Sequence, residues 1–188
     1  MNADRHLLIP GFLRIVLILI IGFSISGCYS INRYGVSADN VYKMKQLQSP
    51  PLAVEKFESS RPDLHSIFCR ASALVSTPDD VSFESYIEQA FIDELKLAGA
   101  YDPKSTIVVH GRLEKVDFNT KPGNGKWSLK MAISSKTNPG FTVDSTYEFS
   151  ANWMWMGACH QVAQTFVPAV QQLISKAISD PRFKQLAL

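Results

Sequence analysis

The sequence lacks several features that would assign it to a familiar class of protein. Its net charge is only +2, from 19 basic and 17 acidic residues, and so small a charge gives no electrostatic reason to expect nucleic-acid binding. It has no Gly-x-Ser-x-Gly elbow, phosphate-binding loop, paired-cysteine zinc pattern or His-Glu-x-x-His helix. No apolar run reaches the roughly 20 residues that a membrane-spanning helix needs. With 46% apolar and 19% charged residues in a chain of 188, we expect a single folded domain.

The longest apolar run lies close to the N-terminus. The 11 residues from Ile15 to Ile25 carry no charge and follow Arg5 and Arg14. A basic segment, a short apolar core and small residues after it are typical of a secretory signal peptide. We therefore expect residues 1–27 to be removed as a signal peptide, which leaves a chain of 161 residues.

Residues 25–28, Ile-Ser-Gly-Cys, resemble the lipobox of bacterial lipoproteins. The resemblance implies a diacylglyceryl thioether on Cys28, cleavage before this residue, and acylation of the new amino group, with palmitate as an expected chain. Two or three acyl chains hold a protein stably on a membrane, whereas one binds reversibly. The Tyr-Ser pair at 29–30 resembles the residues that follow the acylated cysteine in outer-membrane lipoproteins. This resemblance implies an outer-membrane location facing the periplasm. The alternative is an ordinary secretory signal that happens to end at a cysteine.

Two further cysteines, Cys69 and Cys159, remain in a chain that is expected to enter an oxidising compartment. A disulfide between them is the simplest prediction. The alternative is a pair of buried free thiols. A nucleophilic cysteine is not favoured, because His160 adjoins Cys159 but the sequence marks no third partner.

Residues 28–51 are predicted to be the lipidated N-terminus and a tether, which ends in the stiff extended sequence Ser-Pro-Pro. Within it, Ser37 is a candidate N-cap for a short helix to Gln46. Residues 52–188 are predicted to form a single α/β domain.

Periodicity in the domain predicts both strands and helices. Apolar runs at 52–57 and 66–75 predict two strands, and spacings of three and four from Phe83 to Ala98 predict an amphipathic helix with Glu84 and Glu94 on its polar face. Three alternating segments between residues 107 and 150 predict an antiparallel meander, with a bulge after Leu113. A second helix is predicted over residues 158–179, kinked at Pro168, followed by a short tail helix.

The predicted fold class is α+β. Each helix has one apolar stripe, and the sheet has one apolar face. All three apolar surfaces are buried if both helices pack on one side of the sheet. We therefore predict a two-layer sandwich of about five mostly antiparallel strands with two main helices on one face. This element order is similar to that of small envelope lipoproteins, such as the lipopolysaccharide-assembly lipoprotein and the auxiliary lipoproteins of lipid ABC transporters.

An apolar segment between the last predicted strand and the last long helix is a candidate contact surface. Its residues are Trp153, Met154, Trp155 and Met156. Tryptophan and methionine are favoured at adaptable interfaces and at membrane boundaries. The alternative is that the strand continues through this segment and buries one tryptophan.

No cofactor, metal site or enzymatic activity is predicted, because His65, His110 and His160 show no metal-ligand or catalytic spacing. We expect a lipid-anchored envelope protein that acts as a binding or assembly module. Its expected partners are the membrane and an unidentified envelope protein, without nucleic acid. A carrier of a lipid or peptidoglycan fragment is a second hypothesis, which an apolar cavity beside Trp127 would favour. A hydrolase is a third, which polar groups converging on His110 or His160 would favour.

Overall fold

The computed structural model describes residues 27–70 and 73–186, so residues 1–26 of the predicted signal peptide lie outside it. The described residues form two sheets and four helices, and the predicted α+β class is confirmed. A single 3-10 turn, Pro78–Asp80, precedes the first long helix. The elements in chain order are β1 Gly27–Ser30, α1 Ala38–Leu47, β2 Ala53–Val54, β3 Glu58–Ser59, β4 Ser66–Cys69, β5 Ala73–Ser76, α2 Phe83–Ala98, β6 Val108–Lys121, β7 Asn124–Ser135, β8 Phe141–Phe149, α3 Trp155–Ser179 and α4 Pro181–Gln185.

The larger sheet contains the predicted meander. Its strand order is β2-β6-β7-β8, and β3 also pairs with β6. The three long strands are antiparallel, whereas β2 and β3 run parallel to β6. The β6-β7 register shifts between Leu113 and Lys115, at the position where the change of phase predicts a bulge.

Helices α2 and α3 cover the apolar face of this sheet, as predicted. The bounds of α2 match its periodicity, with Ser82 as the N-cap and Gly99, at φ 73°, as the C-cap. Helix α3 begins at Trp155, three residues before its predicted start, and continues through Pro168. In the part of the chain that the structure describes, no helix is both long and apolar enough to cross a bilayer.

A second, three-stranded sheet was not predicted. The run at 66–75, predicted as one strand, is a hairpin in which β4 and β5 pair antiparallel, and β1 adds to β5 in parallel. The chain turns after Arg70, which has a left-handed φ of 49°. Because this conformation is uncommon for residues other than glycine, the apolar pattern alone gave no reason to end a strand there.

Residues 28–51 are part of the folded domain, and not the tether that the sequence predicted. Strand β1 belongs to the smaller sheet, and Ile31 and Met44 are buried in the core. Helix α1 packs on α2 and α3. The short helix itself is confirmed, and Ser37 caps it by accepting a hydrogen bond from the Asn40 amide.

A buried carboxylate joins this N-terminal segment to α2. Glu94 Oε1 accepts hydrogen bonds from the Tyr34 hydroxyl at 2.5 Å, the Ser37 amide at 3.2 Å and Asn40 Nδ2 at 3.2 Å. The sequence placed Glu94 and Glu84 on a solvated face, but both are buried. Burial raises the pKa of the Glu94 carboxyl, and these three hydrogen bonds act in the opposite direction.

Replacing Tyr34 by phenylalanine should destabilise the protein more at neutral than at acid pH. Because the pKa of Glu94 is raised in the folded state, its contribution to stability is present below the unfolded pKa and is lost as the pH rises through the folded value. Loss of the Tyr34 hydroxyl raises this pKa further, so the free energy of unfolding should fall by about 1–3 kcal/mol at pH 8 and by less at pH 4.

Urea unfolding of the wild type and of Tyr34→Phe at both pH values measures this difference. Tyr42→Phe is the matched control, since Tyr42 is an exposed tyrosine of α1. An equal loss of stability at the two pH values would show that the Tyr34 hydroxyl does not stabilise the ionised form of Glu94.

Candidate functional site

Cys28 lies in β1, and its side chain is exposed. It pairs with Leu74 of β5, which pairs with Phe68 of β4. Side chains of facing residues on paired strands project from the same side of a sheet, so these three residues form one row across the smaller sheet. Phe68 is 73% exposed. The predicted site of lipidation thus shares a row with an exposed aromatic side chain.

The opposite face of the smaller sheet packs against the beginning of α3. Cys69 and Val75 are fully buried on that side, and the Tyr29 ring lies 6.2 Å from the ring of His160. The predicted disulfide between Cys69 and Cys159 is confirmed, with the two Cα atoms 5.9 Å apart. A covalent bond therefore fixes the end of β4 to α3.

The predicted contact segment divides into exposed and packed residues. Trp153, Met154 and Met156 are 83%, 64% and 46% exposed. Trp155 opens α3 and is partly buried against the core. The strand does not continue through this segment, since β8 ends at Phe149. Three of the four predicted residues are thus available to a partner, and Trp155 belongs to the fold.

Arg70 holds the exposed segment beside the end of the smaller sheet. Its guanidinium donates hydrogen bonds to the carbonyl oxygens of Trp153 at 2.9 Å and Asn152 at 3.2 Å. It also donates to the hydroxyl and carbonyl oxygens of Thr120, near the end of β6. One side chain therefore positions β4, β6 and the connection to α3 relative to one another.

These contacts bring the exposed apolar residues to one end of the molecule. At this end β1 begins beside the β4-β5 hairpin, because Gly27 pairs with Ala73 and Ala73 with Cys69. Four of the eight large apolar side chains that are exposed in the described residues lie here. Clustered exposure is typical of interaction surfaces, whereas scattered exposure is not, so these side chains form the candidate contact surface. We call this surface the apolar end, and it consists of Cys28, Phe68, Trp153, Met154 and Met156.

Phe68 was not among the predicted contact residues, although the sequence contained a signal for it. Phe68 lay within an apolar run that predicted a strand without distinguishing its two faces. Cys69 was expected in a disulfide and therefore on the inner face. Because side chains alternate along a strand, its neighbour Phe68 then belongs on the outer face. No pattern in the sequence indicated the role of Arg70.

The space between α3 and the larger sheet is filled at Trp127. The indole is fully buried and donates a hydrogen bond to the Val162 carbonyl at 3.1 Å. The rings of Phe83, Phe118 and Phe166 have centroids 6.4, 4.9 and 4.7 Å from it. Aromatic side chains thus occupy the place where an apolar cavity would have favoured a lipid carrier.

Polar groups do converge on His110, in a cleft on the outer face of the larger sheet. His110 Nδ1 lies 2.8 Å from Glu55 Oε2, and Ser134 faces His110 across the β6-β7 pair. The cleft has a volume of about 340 Å³ and is also lined by Lys56, Glu58, Gly111, Arg112 and Ala132. Ser134 makes no hydrogen bond to His110. Within residues 27–70 and 73–186, no group of three His, Cys, Asp or Glu side chains is arranged to hold a metal ion.

Comparison with known proteins assigns no family. No protein-family model and no curated protein matches the chain. A Xanthomonas campestris protein with the family designation DUF330 is 9% identical, with a TM-score of 0.42, over 85% of this chain and 94% of its own. A PelC dodecamer from Paraburkholderia phytofirmans is 14% identical, with a TM-score of 0.36, over 80% and 91%. TM-scores below 0.5 do not establish a common fold.

Separate alanine variants of Trp153 and Trp155 should differ in stability. Trp155→Ala removes an indole that packs on the core, so the free energy of unfolding should fall by about 2–4 kcal/mol. Trp153→Ala removes an exposed side chain and should change it by less than about 0.5 kcal/mol. Urea unfolding measures both values. A large loss of stability in both variants would remove the interpretation of Trp153 as a contact residue.

Proposed function

We propose that this protein is a lipid-anchored bacterial envelope protein whose domain is a non-catalytic binding or assembly module. The position of Cys28 carries this proposal. The lipobox-like sequence ends at a cysteine in an edge strand, where the exposed thiol lies 3.5 Å from the Ser76 hydroxyl. A modifying enzyme can therefore reach the sulfur without unfolding any part of the core.

The other two cysteines support this assignment. Cys69 and Cys159 are fully buried and bonded to each other, so Cys28 is the one free thiol of the three cysteines in the chain. A disulfide is also typical of the oxidising compartments outside the cytoplasm. The pairing of the cysteines is thus the one expected if the domain is exported and Cys28 carries the lipid.

The proposed location is the outer membrane, with the domain facing the periplasm. A net charge of +2 provides little attraction to anionic lipids, so the acyl chains on Cys28 supply the adhesion. The packed aromatic cluster around Trp127 supports a module over a lipid carrier. The expected partner is another envelope protein, and no nucleic acid is involved.

Labelling with radioactive palmitate in bacteria that process lipoproteins tests the anchor. The wild-type chain should incorporate label, and Cys28→Ser should incorporate none and accumulate as the longer precursor. The double variant Cys69→Ser with Cys159→Ser is the matched control and should remain labelled, because its lipobox is intact. Label that persists in Cys28→Ser, or a wild type without label, would contradict the proposal.

Hydrolysis is a second candidate function, and the cleft around His110 is the observation that favours it. A histidine paired with a carboxylate, with a serine opposite, contains the residue types of a nucleophilic hydrolase. It ranks second because the side chains of His110 and Glu55 are 40% and 59% exposed. Catalytic groups usually lie in enclosed pockets, and this pair is open to solvent.

A panel of chromogenic esters, phosphoesters and glycosides separates the two functions. The leading proposal predicts the same background rate for the wild type, His110→Gln and Ser134→Ala. His65→Gln is the control histidine outside the cleft. Turnover by the wild type and His65→Gln that disappears in both His110→Gln and Ser134→Ala would establish the hydrolase.

A further inference from the structure

We propose that the apolar end is a membrane-docking surface, and that its occupant is the lipid bilayer that holds the acyl chains of Cys28. The inference rests on the proposed lipidation. It goes further, because it assigns the exposed side chains at this end to the headgroup and upper acyl region and thereby fixes the orientation of the domain. Those side chains are Phe68, Trp153, Met154 and Met156.

The absence of a spacer after Cys28 is the first argument. Cys28 lies in β1, which pairs with β5, and the chain continues directly into the buried residue Ile31. Phe68 lies two strands away in the same row, about 10 Å from Cys28 at the usual spacing of strands. Acyl chains attached to Cys28 therefore bring this end of the smaller sheet, with Phe68 beside it, to the bilayer surface.

The tryptophan and methionine side chains lie at the same end for independent reasons. Arg70 holds the Trp153 carbonyl beside the end of β4, and the disulfide fixes the beginning of α3 to β4. Met156 lies one helical turn before His160, whose ring contacts Tyr29, the neighbour of Cys28. The exposed segment is thus linked to β4 through Arg70 and the disulfide, and to β1 through His160 and Tyr29.

The chemistry of these side chains fits a bilayer boundary. Tryptophan prefers the level of the lipid headgroups, and bulky apolar side chains such as phenylalanine insert among the upper parts of the acyl chains. In the precursor, the apolar segment of residues 15–25 also leads to Cys28, so the membrane-directed part of the chain joins the domain at this end before it is removed. Other exposed apolar residues lie elsewhere, such as Leu97 near the C-terminus of α2.

Docking at the apolar end directs the polar cleft away from the membrane. Thr120, which Arg70 contacts, lies near the end of β6, and His110 lies ten residues earlier on the same strand. At the rise of an extended strand this places His110 about 30 Å farther along β6. The cleft is therefore open to the aqueous compartment when the apolar end contacts lipid.

Fluorescence quenching in vesicles tests the docking surface on the full-length protein processed in cells. The purified protein is reconstituted into phosphatidylcholine vesicles with and without bromine on the acyl chains. Trp127 is buried and Trp155 packs partly against the core, whereas Trp153 is exposed, so bromine should quench mainly Trp153. The wild type should lose emission in brominated vesicles, and Trp153→Phe should lose much less.

Two exposed apolar residues provide a matched pair of variants. Phe68→Ser should reduce the quenching of Trp153, because it removes an inserted side chain from the apolar end. Leu97→Ser should leave the quenching unchanged, because Leu97 lies at the other end of the larger sheet, where residues 98–108 lead into β6. Equal effects of the two variants would overturn the proposal.

Intact-mass spectrometry of the same samples separates failure of docking from failure of the anchor. Acylated Cys28 with equal emission in both kinds of vesicle would overturn the docking surface and leave the anchor in place. Trp153 emission that shifts to the blue without quenching would also overturn the docking surface, since a second copy or another protein would then cover the apolar end. An unmodified Cys28 would overturn both proposals.

Discussion

The disulfide between Cys69 and Cys159 holds the hairpin of the smaller sheet against the beginning of α3. In the chain-entropy model, closing a loop between residues 90 positions apart stabilises the fold by about 4–5 kcal/mol. Its position has a further effect, because Cys69 lies between Phe68 of β4 and Arg70, which follows the strand, and Met156 lies three residues before Cys159 on α3. The bond thereby fixes the relative positions of β4, the segment before α3 and, through β5, the strand that carries Cys28.

A second constraint makes the N-terminal segment part of the domain. The buried Glu94 carboxylate accepts hydrogen bonds from the hydroxyl of Tyr34, the amide of Ser37 and the side chain of Asn40, and these bonds offset part of the cost of burying its charge. Strand β1 and helix α1 are therefore held in place. A lipid on Cys28 would be attached to a β-strand, so the bilayer would constrain the orientation of the domain as well as its location.

The sequence was sufficient for the features that depend on local pattern. Alternation over β6, β7 and β8 predicted the meander, the spacing of apolar residues and Gly99 predicted α2, and the cysteine count predicted the disulfide. The features it missed depend on contacts between distant residues. Helical periodicity placed Glu94 on a solvated face, because its hydrogen-bond donors lie 54 to 60 positions earlier in the sequence. Residues 28–51 were predicted to be a tether with one short helix for a similar reason, since the partner of β1 is the distant strand β5. The contact surface was predicted in part, because Trp153 and Met154 follow from composition, whereas the contribution of Phe68 requires the hairpin.

Intact-mass spectrometry of the protein extracted from bacterial membranes shows whether Cys28 carries the lipid anchor. The chain should begin at Cys28, with a diacylglyceryl group on its sulfur and an acyl chain on its amino group. The mass should also be two hydrogens lower than after reduction, because Cys69 and Cys159 are bonded. A chain that retains residues 1–27, or that begins elsewhere and carries an unmodified Cys28, would show that Cys28 is not a lipid anchor.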